Sequence, residues 1–280
     1  MYFELRQIPC FGVAGNFTGH LEQAGEDKDF KAVVVKDENA PKAVFPTFIP
    51  NATDTVPSHL HTFPFDEYRI IFPKGESKLQ IEPECAIICN VTWDGDRVTA
   101  LEPLVFGASN DCSIRKEGAK KISEKKNWGL SSKGLASNLI KINKFTNGSI
   151  LDKYRIASFL VRDGVPHVYG EDSAIKDYSY FYETLINWLI EKFNNQQNAG
   201  PAEDIHSYLV DAGKPQQFMI SVGATRYSEF GKTNFLKDGD KAVVVVYPED
   251  IYSFDDIFKR VNNDNLEEDD ISVLIQEVIL

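Results

Sequence analysis

The chain has 280 residues, 42% of them hydrophobic and 12% aromatic, which is enough apolar material for a packed core in one large domain or two small ones. Thirty Lys and Arg stand against 42 Asp and Glu, a net charge of −12, so the surface field repels a nucleic-acid backbone or an anionic bilayer and neither is expected as a partner. No run approaches the ~18 apolar residues of a membrane helix and the start Met1-Tyr2-Phe3-Glu4-Leu5-Arg6 lacks a signal-peptide pattern, so a soluble, cytoplasmic protein is expected.

From the N-terminus onward, apolar runs rich in β-branched residues predict strands at 32–35, 69–72, 86–91, 104–107, 139–142, 156–161, 219–222 and 242–247. Turns between them are supplied by Asp94-Gly95-Asp96, Asn147-Gly148-Ser149, Asp163-Gly164 and Asp238-Gly239-Asp240. The charged stretch 116–126 reads as a solvated helix or a loop over a site. From Ser179 to Asn194, the residues Phe181, Leu185, Ile186, Leu189, Ile190 and Phe193 recur at helical spacing behind Asp177 as a cap, and the run from Asn194 to Pro201 ends that helix. A shorter helix is predicted at 202–212. The acidic 262–270 leads to a short apolar close at 271–280, which reads as a docked helix or else as a dimer contact. The class is therefore mainly β (α+β), with one domain over 1–262 whose first 75 residues are a variable portion, and an acidic tail over 263–280. Cys10, Cys85, Cys89 and Cys112 form no C-x-x-C pair and read as reduced core thiols.

Glu82-Pro83-Glu84 enters an apolar strand, and in an extended chain residues i and i+2 face the same side. Two such carboxylates need a cation or a proton between them, and a hard divalent ion accepts several carboxylate oxygens; a solvated strand is the alternative. Asp111, in the polar run Gly107 to Arg115, can supply a third carboxylate or simply belong to an Asn-Asp turn. His20 sits in the glycine-rich segment Cys10 to Glu22, which matches neither a dinucleotide fingerprint nor a P-loop, and is either a base or a hydrogen-bonded structural histidine.

In order, these pieces resemble the fumarylacetoacetate hydrolase superfamily. Its G-x-N-Y-x-x-H motif resembles Gly15-Asn16-Phe17-Thr18-Gly19-His20, its E-x-E strand resembles Glu82-Pro83-Glu84, and its N-D-x-S-x-R motif resembles Asn110 to Arg115. The W-x(n)-K-[GS] motif is similar to Trp128 to Gly134, and Ser221 to Thr225 followed by Asn234 to Asp240 resembles the C-terminal turn and F-L-x-x-G-D segment. The resemblance implies a mixed β-sandwich roll of that family's C-terminal-domain type, a homodimer, and Mg²⁺ (or Mn²⁺ or Ca²⁺) held by Glu82, Glu84 and Asp111. It further implies that His20 activates water, that Lys133 stabilises an oxyanion or enolate with Arg115 lending positive charge, and that Asn16, Ser113 and Thr225 meet the substrate.

The implied activity is metal-dependent hydrolysis or lysis of a C–C bond in a small oxo acid of the acylpyruvate or β-diketo type. Decarboxylation, hydration or isomerisation of the same substrate class, or ligand binding without turnover, are the alternatives. The chain departs from the pattern at Gln23, where the family has a glutamate paired with the histidine, which leaves Glu22 or Glu26 as partners for His20. It also lacks the lysine of the F-x-K motif in 44–50, has Lys116 after Arg115, and carries Ala224 where threonine is expected.

Overall fold

The computed structural model describes residues 3–25, 37, 39–116 and 118–280; the strand expected at 32–35 lies outside them, as does Glu26. In chain order the strands are β1 (Cys10–Ala14), β2 (Ala43–Phe48), β3 (Arg69–Ile71), β4 (Leu79–Gln80), β5 (Pro83–Asp94), β6 (Arg97–Asn110), β7 (Ser113–Ile114), β8 (Gly134–Leu135), β9 (Ile140–Lys141), β10 (Tyr154–Arg162), β11 (Val165–Val168), β12 (Ser173–Ala174), β13 (Gln217–Ala224), β14 (Lys241–Pro248) and β15 (Ser272–Ile279). The helices are α1 (His20–Ala24), α2 (Ser123–Lys126), α3 (Tyr182–Asn195), α4 (Ile205–Asp211), α5 (Glu229–Thr233) and α6 (Phe254–Asn262).

One sheet runs β2-β1-β13-β5-β6-β8 with β9 also on β6, and a second runs β11-β10-β14-β15-β3 with β12 on β10. β4 and β7 form a ribbon of their own. β1 is parallel to β13 and β15 to β3, while β5, β6, β10 and β14 pair antiparallel with their neighbours, so the sandwich is mixed and mainly β. Turn chemistry closes the hairpins where glycine permits a left-handed backbone. Gly95 (φ 58°) lies between the paired Asp94 and Arg97, and Asp163 (φ 53°) with Gly164 (φ 77°) joins β10 to β11, the two-residue loop that suits the twist of paired strands.

The main core lies between the sheets: Val244 and Val246 of β14 and Leu274 and Val278 of β15 share it with Phe106 and Ala108 of β6. Val243, Val245 and Tyr247 face the other way, under Ile257 and Val261 of α6. A strand covered on both faces shows a continuous apolar run rather than alternation, which is why 242–247 reads so clearly as β. On the first sheet α3 brings Phe193 against Phe11 and Phe218, each at a ring separation of 4.9 Å.

Four expectations change. The segment 271–280 contains β15, paired between β14 and β3, rather than a docked helix. Its inward residues include Ser272 and Gln276, and these polar side chains hide the period of two. Room for them comes from Gly107 and Gly134, where a Cβ would lie 2.5 Å from Ser272 Oγ and 2.6 Å from the Gln276 amide. The helix at 182–195 starts behind Phe181, not Asp177, and α4 starts behind Asp204, whose carboxylate accepts the Ser207 N–H. The charged stretch before Asn127 is not simply solvated, since α2 buries Lys125 and Lys126. Finally α6, with Ser253 and Asp256 forming a reciprocal cap, occupies a segment for which no helix is predicted, although Phe254, Ile257, Phe258 and Val261 recur there at helical spacing.

Candidate active site

The β5–β6 hairpin assembles the acidic residues. Pro83 pairs with Asn110 across the hairpin, so Glu82, just before β5, lies beside Asp111, just after β6. The Asp111 N–H donates to the Glu82 carbonyl at 3.0 Å, and the Glu82 N–H to Asn110 Oδ1 at 3.1 Å. Glu84 projects from the same face as Glu82, and its Oε2 accepts the Gly223 N–H at 2.8 Å. All three carboxylates are buried, with one oxygen of each within 4.8 Å of the others.

Three cations answer them. Lys126 Nζ bridges the cluster, ion-paired with Glu82 Oε2 and lying 2.6 Å from Asp111 Oδ2. Lys133, delivered by the chain entering β8, places Nζ 3.2 Å from Asp111 Oδ1 and donates to the Cys112 carbonyl. The Arg115 guanidinium meets Glu82 Oε1 at 2.8 Å, Gln80 Oε1 at 2.7 Å and the Tyr227 hydroxyl at 2.7 Å. Rings flank both lysines, Phe45 at 5.2 Å from Lys126 Nζ and Trp128 at 5.1 Å from Lys133 Nζ. Lys126, Gln80 and Tyr227 carried no signal in the sequence, because a lysine in a charged run looks the same whether it is solvated or buried.

Burial by itself would raise the Glu82 carboxyl, but Lys126, then Arg115 and His20, hold it well below the usual carboxylate range. Glu84 moves the other way, pushed well above that range by burial and by the Asp111 charge beside it. Burial lowers Lys133 below the ordinary lysine value, with Asp111 opposing. Two carboxylates a few residues apart are thereby driven in opposite directions, a pattern characteristic of functional sites.

His20, the first residue of α1, is buried and lines a small cavity of about 20 Å³ together with Glu82, Glu84, Lys126, Phe45 and Ala224. Its ring lies 5.2 Å from that of Tyr227. Glu22 is not brought to this cavity: it is exposed and lines an outer recess of about 150 Å³. Gln23 instead holds Tyr227 in place, accepting its N–H at 2.7 Å. Asn16 is committed to the backbone, donating to the Tyr180 and Val222 carbonyls at 3.0 and 2.7 Å and accepting the Tyr180 N–H at 2.8 Å. Ser113 is buried on β7, and Thr225, buried beyond β13, donates its N–H to the Pro83 carbonyl at 3.1 Å, next to Glu84.

The donor set suits a hard divalent cation in kind and spacing, being three buried carboxylates that converge from two adjoining strands. Among the described residues Glu82, Glu84 and Asp111 are the group of this type.

Solved structures with this architecture are distant in sequence. Cg1458 with an inhibitor matches with a TM-score of 0.53 at 15% identity, over 97% of this chain and 76% of that one. A 2-keto-3-deoxy-D-arabinonate dehydratase complexed with magnesium and 2,5-dioxopentanoate matches with a TM-score of 0.50 at 13% identity, over 97% and 72%. A 2-hydroxyhepta-2,4-diene-1,7-dioate isomerase from Mycobacterium marinum matches with a TM-score of 0.51 at 11% identity, over 97% and 74%. The chain has the fumarylacetoacetate hydrolase fold that its motifs resemble. No curated protein matches the sequence significantly. A family model described as a family of unknown function, DUF5718, matches residues 26–278.

Proposed function

Since the chain belongs to DUF5718, a family of unknown function, we propose its activity from the site itself: cleavage of a C–C bond in a small oxo acid, dependent on a divalent metal. The observation that carries this reading is the convergence of His20, Glu82, Glu84, Asp111, Arg115 and Lys133 in one buried cluster on the fumarylacetoacetate hydrolase fold. Burying so many ionisable groups costs stability that a purely structural core has no need to lose.

Glu82, Glu84 and Asp111 would hold the ion, with Mg²⁺ the expected occupant and Mn²⁺ or Ca²⁺, which also take carboxylate oxygens, the alternatives. Bound there, a divalent ion supplies a Lewis acid for the adjacent oxygens of a 2-oxo acid. His20 would take a proton from water, a role supported by its lining of the same cavity. The Lys133 ammonium, held by Asp111 and the Cys112 carbonyl, would lend its charge and donors to a developing oxyanion. Arg115 keeps Glu82 charged and oriented from the far side. The cavity of about 20 Å³ holds one water-sized species, so an oxo acid needs more room than the site has with the Lys126 side chain in it.

Dehydration or isomerisation of the same substrate class uses the same groups, and the neighbours include both a dehydratase and an isomerase. The test is a panel of acylpyruvates, oxaloacetate and 3-deoxy-2-oxo acids assayed with Mg²⁺ or Mn²⁺. Lys133→Ala is expected to lower kcat by about 10²- to 10³-fold, the cost of removing one donor to a developing oxyanion, while ion binding is retained. No metal-dependent turnover of any member by the parent protein would refute the reading.

A further inference from the structure

We propose that the Lys126 ammonium is a resident cation standing in the place of the divalent ion, so that ion binding requires Lys126 to leave the carboxylate cluster. This rests on the metal-site reading above and goes beyond it, because it makes the chain its own competitor for the site.

The geometry is specific. Lys126 Nζ pairs with Glu82 Oε2 and Asp111 Oδ2, two of the three residues that would ligate the ion, and lies 3.4 Å from the Asp111 carbonyl. Its side chain is 3% exposed. A divalent ion needs carboxylate oxygens at ~2.0–2.6 Å, and the same oxygens are engaged here by the ammonium. Ion and ammonium therefore compete for Glu82 Oε2 and Asp111 Oδ2.

The lysine is delivered by a fixed segment. Ser123 Oγ donates to Glu203 Oε1 at 3.0 Å, and Lys121 Nζ donates to the Gly200 and Ala202 carbonyls at 2.8 and 2.6 Å. Beyond α2, Asn127 Nδ2 donates to the Thr47 and Thr62 carbonyls at 2.8 and 2.9 Å. The backbone on both sides of Lys126 is held, so displacement falls to its four-carbon side chain. Lys126 and Arg115 on Glu82, and Lys126 and Lys133 on Asp111, already give both carboxylates cations from the chain itself.

The experiment compares the full chain with Lys126→Met, which keeps the length of the side chain and removes its charge, by calorimetric titration with Mn²⁺ and by denaturant unfolding of metal-free protein. Glu82→Gln/Glu84→Gln is the control for the site, and Lys126→Met/Glu82→Gln removes both charges of the Lys126–Glu82 pair together. Lys126→Met is expected to bind Mn²⁺ at least about tenfold more tightly than the parent, a scale on which neighbouring groups move metal affinity, with binding abolished in the Glu82/Glu84 control. It is also expected to be less stable than the parent without metal. Equal Mn²⁺ affinity in parent and Lys126→Met, lost in the control, overturns this inference and leaves the metal site standing. No binding by either, with Lys126→Met destabilised and Lys126→Met/Glu82→Gln recovered, overturns the metal-site reading while Lys126 remains the resident cation. No binding and no change in stability overturns both.

Discussion

Glu203 shows how far one buried group can carry pH dependence. Burial pushes its carboxyl up to about 7 against the opposing hydrogen bond from Ser123. That lies above the ~4.3 of an unfolded glutamate, so between the two values the folded chain holds the proton that the unfolded chain has released. Stability from this group is therefore full below about pH 4 and falls as pH rises to about 7, by at most ~4 kcal/mol. Glu203→Gln removes the titration: in urea melts it should match the parent near pH 4 and exceed it at pH 8, and an unchanged difference at the two pH values would show that Glu203 ionises freely in the fold. At the same level, strand alternation put Glu82 and Glu84 on one side of the chain, the resemblance to the family's motifs added Asp111, and the structure brings these three together. Lys126 was not readable. Its role depends on where a four-residue helix lies relative to a distant hairpin, and neighbouring lysines at 120, 121 and 125 share its local pattern.

Among the elements, β13 delivers the backbone donor to Glu84 through a glycine the strand cannot replace cheaply. Gly223 adopts φ 127°, and a Cβ there would lie 2.9 Å from the Asn16 Cβ. Gly223→Ala should cost about 1–3 kcal/mol through backbone strain and crowding, read in a denaturant melt, and should disturb Asn16, which ties the segment before α1 to β13. A variant as stable as the parent would mean that Asn16 yields without cost. The elements legible from sequence were those with one dominant local signal. β14 has its valine run, α3 its helical spacing, and β10–β11 its Asp-Gly turn. β1 and β2 were not assigned as strands, since Cys10 to Ala14 and Ala43 to Phe48 are short, carry Gly12 and Pro46, and are buried throughout, leaving no alternation to detect.

Taken whole, the molecule closes through its C-terminal strand. β15 bridges β14 and β3, and its inward Gln276 accepts from Asn110 Nδ2 at 2.9 Å and donates to the Lys133 carbonyl at 3.1 Å, so the second sheet buttresses the two site segments of the first. Ending the chain at Asp270 should expose the β14 edge and abolish cooperative unfolding, seen as loss of the circular-dichroism melt and association on gel filtration. A soluble, cooperatively melting truncation would mean that β15 is dispensable. Among the described residues no helix is long and apolar enough to cross a membrane. Local rules in the sequence alone determined the β class, the long helix, the hairpin turns and the shared face of Glu82 and Glu84, because each depends on residues within one or two elements, while Asp111 joined the acids through the family resemblance. Only the tertiary structure decided that 272–279 completes a sheet, that Gln23 accepts the Tyr227 N–H, and that a lysine lies among the acids, because each of these is a contact between segments whose spacing along the chain carries no periodic signal.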